Sequence, residues 1–305
     1  MSRVYRIGTR NSPLALWQAQ FVQWLLQDAW PEDKFEIIGM TTSGDDKSIK
    51  LSESGGKGLY VKELEQALIK KDVDVCVHSV KDMPAKLPEL CSLAAVAERG
   101  EVRDILISKN KVVIADFKPG MKIGTSSLRR RAQFLVSFPQ LEIVDIRGNV
   151  DTRIRKVEDG EVDGVILAAA GVLRLGLENH ITEYFDPLLF VPAPGQGAIA
   201  LECREEDDEL RLKLRRIHHD QSGQAIAAER AFLSELGANC ALPLGAWCQI
   251  EQFQMRLTAF LADPNAETVL MESIVGPAGH PEELGKKLAD RFFHHGAKRI
   301  LSKLG

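Results

Sequence analysis

The sequence predicts an α/β protein: two α/β lobes joined by two hinge crossings, then a small α+β C-terminal domain. Three observations carry that prediction. Strand and helix signals alternate through the first two-thirds of the 305 residues, the pattern of mainly parallel sheets. Two short breaks, Glu98–Arg103 and the Pro/Gly-rich Val191–Gly197, bracket the middle of that run. Beyond Ser222 the alternation gives way to one amphipathic helix, several strand-like runs and a closing helix.

Val4–Gly8 reads as the first strand. Ser12 precedes Pro13 and a stripe of Leu14, Trp17, Phe21 and Leu25, which predicts a helix capped by Ser12. Phe35–Met40 is the second strand. Thr41–Lys57 is polar, contains glycine and exceeds a plain connector, so a mobile loop is expected. Gly58–Lys71 reads as a helix and Val73–His78 as a strand. The middle unit opens near Asp104 with the strand Ile105–Ser108. A turn and helix at Gly124–Arg130, the strand Glu142–Ile146, the helix Val150–Glu158 and the apolar strand Val162–Ala168 follow.

Ala198–Cys203 is a strand placed to return to the first sheet. The expected domains are therefore 1–98 with 198–217, then 104–191, then 220–305. In the last, Ser222–Leu236 is expected as a helix capped by Ser222. Strands at Ala246–Ile250, Met255–Leu261 and Thr268–Ile274 and a helix from Pro281 come next. Two crossings between lobes predict a hinge with ligand held in the cleft.

Hydrophobic residues make up 45% and charged residues 27% of the chain, an ordinary globular composition. A net charge of −4 argues against nucleic-acid binding through a broad basic face. The longest apolar run, Val165–Leu173, is too short to span a bilayer. Met1–Arg10 reads as a strand rather than a secretory leader. Of five cysteines, none forms a CxxC pair or a His/Cys metal spacing, and Cys76, Cys91, Cys203 and Cys248 read as buried thiols. A cytoplasmic protein without metal, membrane or nucleic-acid partner is expected.

The chemistry gathers in the loops. In Gly124–Arg130, GTSSLRR, small hydroxyl residues (Thr125, Ser126, Ser127) lead into a helix start and then into Arg129, Arg130 and Arg131. Free N–H groups and the positive end of the helix dipole meet fork-shaped donors there, an arrangement suited to carboxylate or phosphate. A capped surface helix with solvated arginines has the same pattern. Arg10, Arg147, Arg153 and Arg174 also fall at strand ends, so convergence would make the ligand a polyanion, and pairing with surface acids is the alternative. His78-Ser-Val-Lys-Asp82 places Lys81 and Asp82 side by side after a buried strand, where Asp82 can serve chemistry or cap a turn. Cys240 sits in the loop Gly237–Gly245, either an accessible nucleophile or attachment point or a small apolar plug.

In order, RIGTRNSPLALWQAQ (6–20), GGKGLYVKELE (55–65), HSVKD (78–82), GTSSLRRRAQ (124–133), RGNVDTR (147–153), PGQGA (194–198) and the cysteine loop (237–245) resemble the porphobilinogen deaminase (hydroxymethylbilane synthase) family. That resemblance implies three domains, the first two being periplasmic-binding-protein-like lobes, and a dipyrromethane cofactor joined by a thioether to Cys240. It implies condensation of four porphobilinogen units with loss of ammonia, then hydrolytic release of hydroxymethylbilane. By position Asp82 matches the family's catalytic carboxylate. Lys81, Ser127, Arg129, Arg130, Arg147, Arg153 and Arg174 match residues that bind cofactor or substrate, Thr125 and Ser126 belong to the same motif, and Arg10, Ser12, Gln18, Lys57 and Gln196 fall on cleft positions. A monomer is the family expectation.

The residue inventory agrees with that chemistry. Each porphobilinogen ring carries an acetate and a propionate, so a growing chain needs a locally basic cleft. Loss of ammonia leaves an electron-poor methylene-pyrrolenine that a nearby carboxylate stabilises. Three positions depart from the common family pattern: Tyr60 where Phe is usual, Glu53 where the loop is often basic, and Asn239 in place of a frequent glycine. A non-catalytic anion-binding protein would need the arginines but neither Asp82 nor an attachment thiol.

Overall fold

In the computed structural model, residues 3–45, 60–238 and 242–303 are described. The first stretch forms β1 (Val4–Arg10), α1 (Pro13–Ala29), β2 (Lys34–Met40), α2 (Lys62–Ile69), β3 (Val75–Ser79) and β4 (Cys91–Val96). The middle forms β5 (Asp104–Ser108), β6 (Lys122–Gly124), α3 (Leu128–Ser137), β7 (Glu142–Val144), α4 (Val150–Glu158), β8 (Gly164–Ala168), α5 (Ala169–Arg174) and β9 (Glu183–Tyr184). Then come β10 (Ile199–Arg204), α6 (Asp208–Arg215) and α7 (Asp220–Glu235), and last β11 (Leu244–Glu251), β12 (Gln254–Ala262), β13 (Val269–Pro277), α8 (Pro281–His294) and α9 (Ala297–Leu301).

Two five-stranded sheets have the same plan, β2-β1-β3-β10-β4 and β7-β6-β8-β5-β9. Within each, three parallel strands are followed by one that runs backwards: β10 is antiparallel to β3, and β5 to β8. The reversed strand is in both cases the one that follows a crossing from the other lobe. The chain thus builds two lobes of one topology with a short paired neck between them. A third sheet, β11-β12-β13, is wholly antiparallel, and α7 and α8 cover it through an edge-to-face pair of Phe232 and Phe292.

Burial explains the strands. Tyr5 and Ile7 of β1 and Val75 and Val77 of β3 share one core with Ala19, Val22 and Leu26 of α1. Around β6 and β8 the second lobe buries apolar residues on both faces, which is why Gly164–Ala168 is an unbroken apolar run. Where the neck strands touch, Gly197 holds φ at +86°, and a Cβ there would lie 2.8 Å from the carbonyl oxygens of Gly100 and Glu101. Only glycine permits that approach.

Several details differ from the sequence expectation. The buried face of α1 is Ala15, Gln18, Ala19, Val22 and Leu26. Its large residues flank that face: Trp17 stacks on Phe21, and Leu14 reaches Gly171 of the second lobe. Phe21 and Leu25 pack, partly buried, along the edge of the first lobe's core, while Leu14 and Trp17 lie toward the second lobe. α7 starts at Asp220, not Ser222, and is capped by His219, whose Nδ1 accepts from the Ser222 N–H at 3.3 Å. The Ser222 hydroxyl accepts instead from the Arg99 N–H at 2.9 Å, tying the helix to the neck. The strand Cys91–Val96 is short and low in β-branched residues, and pairing with β10 makes it a strand.

Candidate active site

β3 ends at Ser79 and turns at once into a single 3₁₀ turn, Val80–Asp82. The turn is pinned from the neck: the Val80 N–H donates to Ala198 at 3.1 Å, and a Cβ on Gly195 would lie 2.3 Å from Val80. Asp82 consequently faces a pocket shared with Arg10, Ser12, Gln18, Tyr60, His78 and Ser79. Ser12 caps α1 and accepts from the Ala15 N–H, and buried Gln18 donates to the Ser79 hydroxyl at 2.8 Å. Arg10 lies over the Tyr60 ring at 4.3 Å, so the departure from Phe at position 60 keeps the ring face that a guanidinium uses.

Lys81 is half-buried, with protein closing around its ammonium in the cleft. Burial lowers its pKa to about 8, opposed by Asp82 and assisted by Arg130 across the cleft.

On the second lobe, Ser127 caps α3 and accepts from the Arg130 N–H at 3.4 Å. The Thr125 hydroxyl oxygen accepts from the Ser127 N–H, and the Ser126 hydroxyl donates to the Ile146 carbonyl. The first arginines of α3 turn inward. Asp104 receives Arg129 at 2.7 Å, Arg130 at 2.8 Å and the Gln196 amide at 2.8 Å. Burial alone would raise Asp104, but the two guanidiniums outweigh it and hold the carboxyl well below its usual range.

Arg147 stands half-exposed, 3.6 Å from Asp145. Arg153 donates to the Gly148 carbonyl at 2.7 Å, and burial, with Arg130 nearby, lowers its pKa. Arg174 donates to the Gly197 carbonyl at 2.7 Å and sits 5.6 Å from the Trp17 ring of the first lobe. Burial lowers it to about 10, which leaves it charged at neutral pH.

Residues from both lobes therefore meet across one cleft. Lys81 lies within electrostatic reach of Arg129, Arg130 and Asp104, as does Arg153 of Tyr60. Cys240 and Lys57, together with Glu53 and Asn239, lie outside the described residues. The other four cysteines are buried; burial pushes Cys91 to about 12 and Cys203 to about 11, and Cys76 and Cys248 are raised as well. None of those four offers a thiolate at neutral pH.

Among the buried acids that the sequence reading did not single out, two brace the cleft and the neck. Asp104 is one; its signal was a charge opening an apolar strand. Glu229 of α7 is the other. Wholly buried, it accepts from Arg99 at 2.6 Å, from the Gly195 N–H at 2.7 Å and from the Cys248 N–H at 2.8 Å. Both neck strands and the third domain thus converge on one carboxylate. Among the described residues no helix is long and apolar enough to cross a membrane, and no cluster of three His, Cys, Asp or Glu could hold a metal ion.

A family model for the porphobilinogen deaminase, dipyromethane cofactor binding domain matches residues 5–212, and one for the porphobilinogen deaminase C-terminal domain matches 224–294. The porphobilinogen deaminase of Oceanobacillus iheyensis is 42% identical over 300 residues, covering 98% of this chain and 96% of its own. That of Thermus thermophilus is 42% identical over 303 residues, covering 99% of each chain. Among solved structures, the methionine-binding protein MetQ covers 73% of this chain and 90% of its own at 12% identity and a TM-score of 0.45, too distant to carry an argument. With both family models spanning the two lobes and the third domain, the chain belongs to the porphobilinogen deaminase family.

Proposed function

We propose that the inter-lobe cleft condenses four porphobilinogen molecules head to tail, releasing ammonia at each addition, on a dipyrromethane primer tethered through Cys240, and frees hydroxymethylbilane by hydrolysis. The observation that carries this reading is Asp82 facing a pocket beside Arg10, with Lys81, Arg130 and Arg153 in reach across the cleft.

The donor set fits the cofactor. Acetate and propionate groups call for guanidinium and ammonium donors, which Arg10, Lys81, Arg147, Arg153 and Arg174 supply; pyrrole N–H groups call for an acceptor, which Asp82 supplies. The bound primer contributes a carbon nucleophile held at a fixed place. Arg10, Arg147, Arg153 and Arg174 bind and orient the substrate carboxylates, with Arg129 and Arg130 adding positive charge from behind. Ser12, Thr125, Ser126 and Ser127 hold the backbone around them, and Gln18 and Gln196 hold Ser79 and Asp104. Lys57 joins this basic set.

As ammonia leaves the substrate, positive charge grows on its ring beside Asp82. At about 4 Å and an effective dielectric near 20, that attraction is on the order of 4 kcal/mol. Realised at the transition state, it corresponds to roughly a thousandfold in rate. Lys81 supplies a cation for substrate carboxylates below about pH 8 and loses that charge above it.

The domain division 1–98 with 198–217, 104–191 and 220–305, a monomer and a cytoplasmic location belong to the same reading. The neck is the element proposed to yield as the chain lengthens; most of the 41–57 loop lies outside the described residues. Intact mass spectrometry tests the reading: purified protein carries a two-pyrrole excess over its sequence mass, and Cys240→Ala carries none. An adduct retained in Cys240→Ala excludes this tether.

A further inference from the structure

The strand end that carries Asp82 is fastened on both faces of the sheet, and the two fastenings differ in kind. On the α1 face Ser79 meets Gln18, a neutral contact. On the opposite face His78 Nε2 lies 2.9 Å from Glu202 Oε2 of β10, with both side chains buried. Glu65 of α2 lies within electrostatic reach of both. Cys91 of β4 and Cys76 of β3 also face Glu202, and Arg204 lies toward the far end of the strand near Cys76. On the pocket side, His78 shares its walls with Asp82, Arg10 and Tyr60. Two carboxylates and one imidazole thus crowd beneath the pocket, where the primary chemistry needs none of them.

We propose that His78 is a positioning residue for Asp82, acting through Glu202, so that the Asp82 turn is held in place by an ionisable clamp under the pocket floor. A carboxylate as buried as Glu202 stays in a core only with a partner; beside the Cys91 thiol, the imidazole at 2.9 Å is the group there that can carry the opposite charge. Because His78 is the penultimate residue of β3 and Asp82 closes the turn that follows, a shift of the ring moves the start of that turn. Displacements of about 1 Å at a reacting group cost up to roughly a hundredfold in rate. Burial, with Glu202 nearby and His78 opposing, raises Glu65 to about 7, so a carboxylate beside the clamp changes charge close to neutral pH.

This inference rests on Asp82 being the acid of the reaction, and the experiment separates the two. His78→Gln, Glu202→Gln, the double variant and Asp82→Asn are prepared as holoenzymes with cofactor content checked by intact mass. His78→Gln is expected to lower kcat roughly tenfold with little change in KM and to shift the pH profile of kcat. The double variant is expected to be no slower than His78→Gln, since both changes remove one clamp. Losses that multiply in the double variant, or an unchanged rate and pH profile in His78→Gln, overturn the positioning role. Normal turnover in Asp82→Asn instead overturns the assignment of the acid. If His78→Gln does not fold, Glu65→Gln is measured in its place: a shifted pH profile with normal melting supports the clamp, and an unchanged profile overturns it.

Discussion

Asp82 and Asp104 both stand where a strand meets the inter-lobe cleft, in surroundings that assign them opposite work. Asp104 is 1% exposed and is filled by Arg129, Arg130 and Gln196. Asp82 is half-buried and faces a pocket. A carboxylate saturated by two guanidiniums is a fixed charge that braces the structure; one that opens on a pocket is available to a ligand. The same division separates the arginines. Arg129 and Arg130 spend donors on Asp104 and on the Val191 and Ile166 carbonyls, whereas Arg147 is half-exposed and its pair with Asp145 is long, at 3.6 Å.

Substitution breaks the comparison if the two acids respond alike. Asp82→Asn should lower turnover by roughly 10²–10⁴ while melting stays normal and the cofactor mass is retained. Steady-state kinetics with intact mass checks this, and near-normal turnover removes Asp82 from the chemistry. Asp104→Asn should instead lower stability by about 3–5 kcal/mol, because two buried guanidiniums lose their counter-charge. Denaturant unfolding reads that loss; an unchanged midpoint would mean that the cluster contributes little.

Glu65 sharpens the picture through pH. Its carboxyl is raised from 4.5 to about 7, so the folded state holds a proton that the unfolded state releases. Stability from this group is therefore lost as pH rises from about 4.5 and is wholly lost above about 7, on the order of 3 kcal/mol. Glu65→Gln should flatten that slope, and equal slopes in both proteins across this window would contradict the burial. The smallest stability effect belongs to Arg147→Leu. It should leave the melting temperature within about 2 °C, since exposed pairs contribute little, yet stall elongation at partly extended chains visible by mass. Normal kinetics would place Arg147 outside the binding cleft.

Much of this was legible locally. Helix α4 spans Val150–Glu158, as its pattern predicts, and Ser12 and Ser127 cap their helices through side-chain oxygens. The strand and turn around His78–Asp82 were legible for the same reason: runs of buried strand residues and turn chemistry are properties of neighbours in sequence. The cap of α7 was not, because Ser222 is engaged by Arg99, 123 residues away. Nor was the face of α1, since which residues lie inward depends on how near the sheet allows the helix to come.

The sequence by itself determined the alternation of elements, the order of motifs and the family to which they belong, because these are written in short-range periodicity and residue identity. Only the tertiary structure decided which charges neutralise one another. Asp104 draws in Arg129 and Arg130 from the next helix, Glu229 gathers both neck strands and the third domain, and Glu202 meets His78 beneath the pocket. Coulomb attraction depends on distance in space and on local burial, and neither quantity is set until the chain has folded.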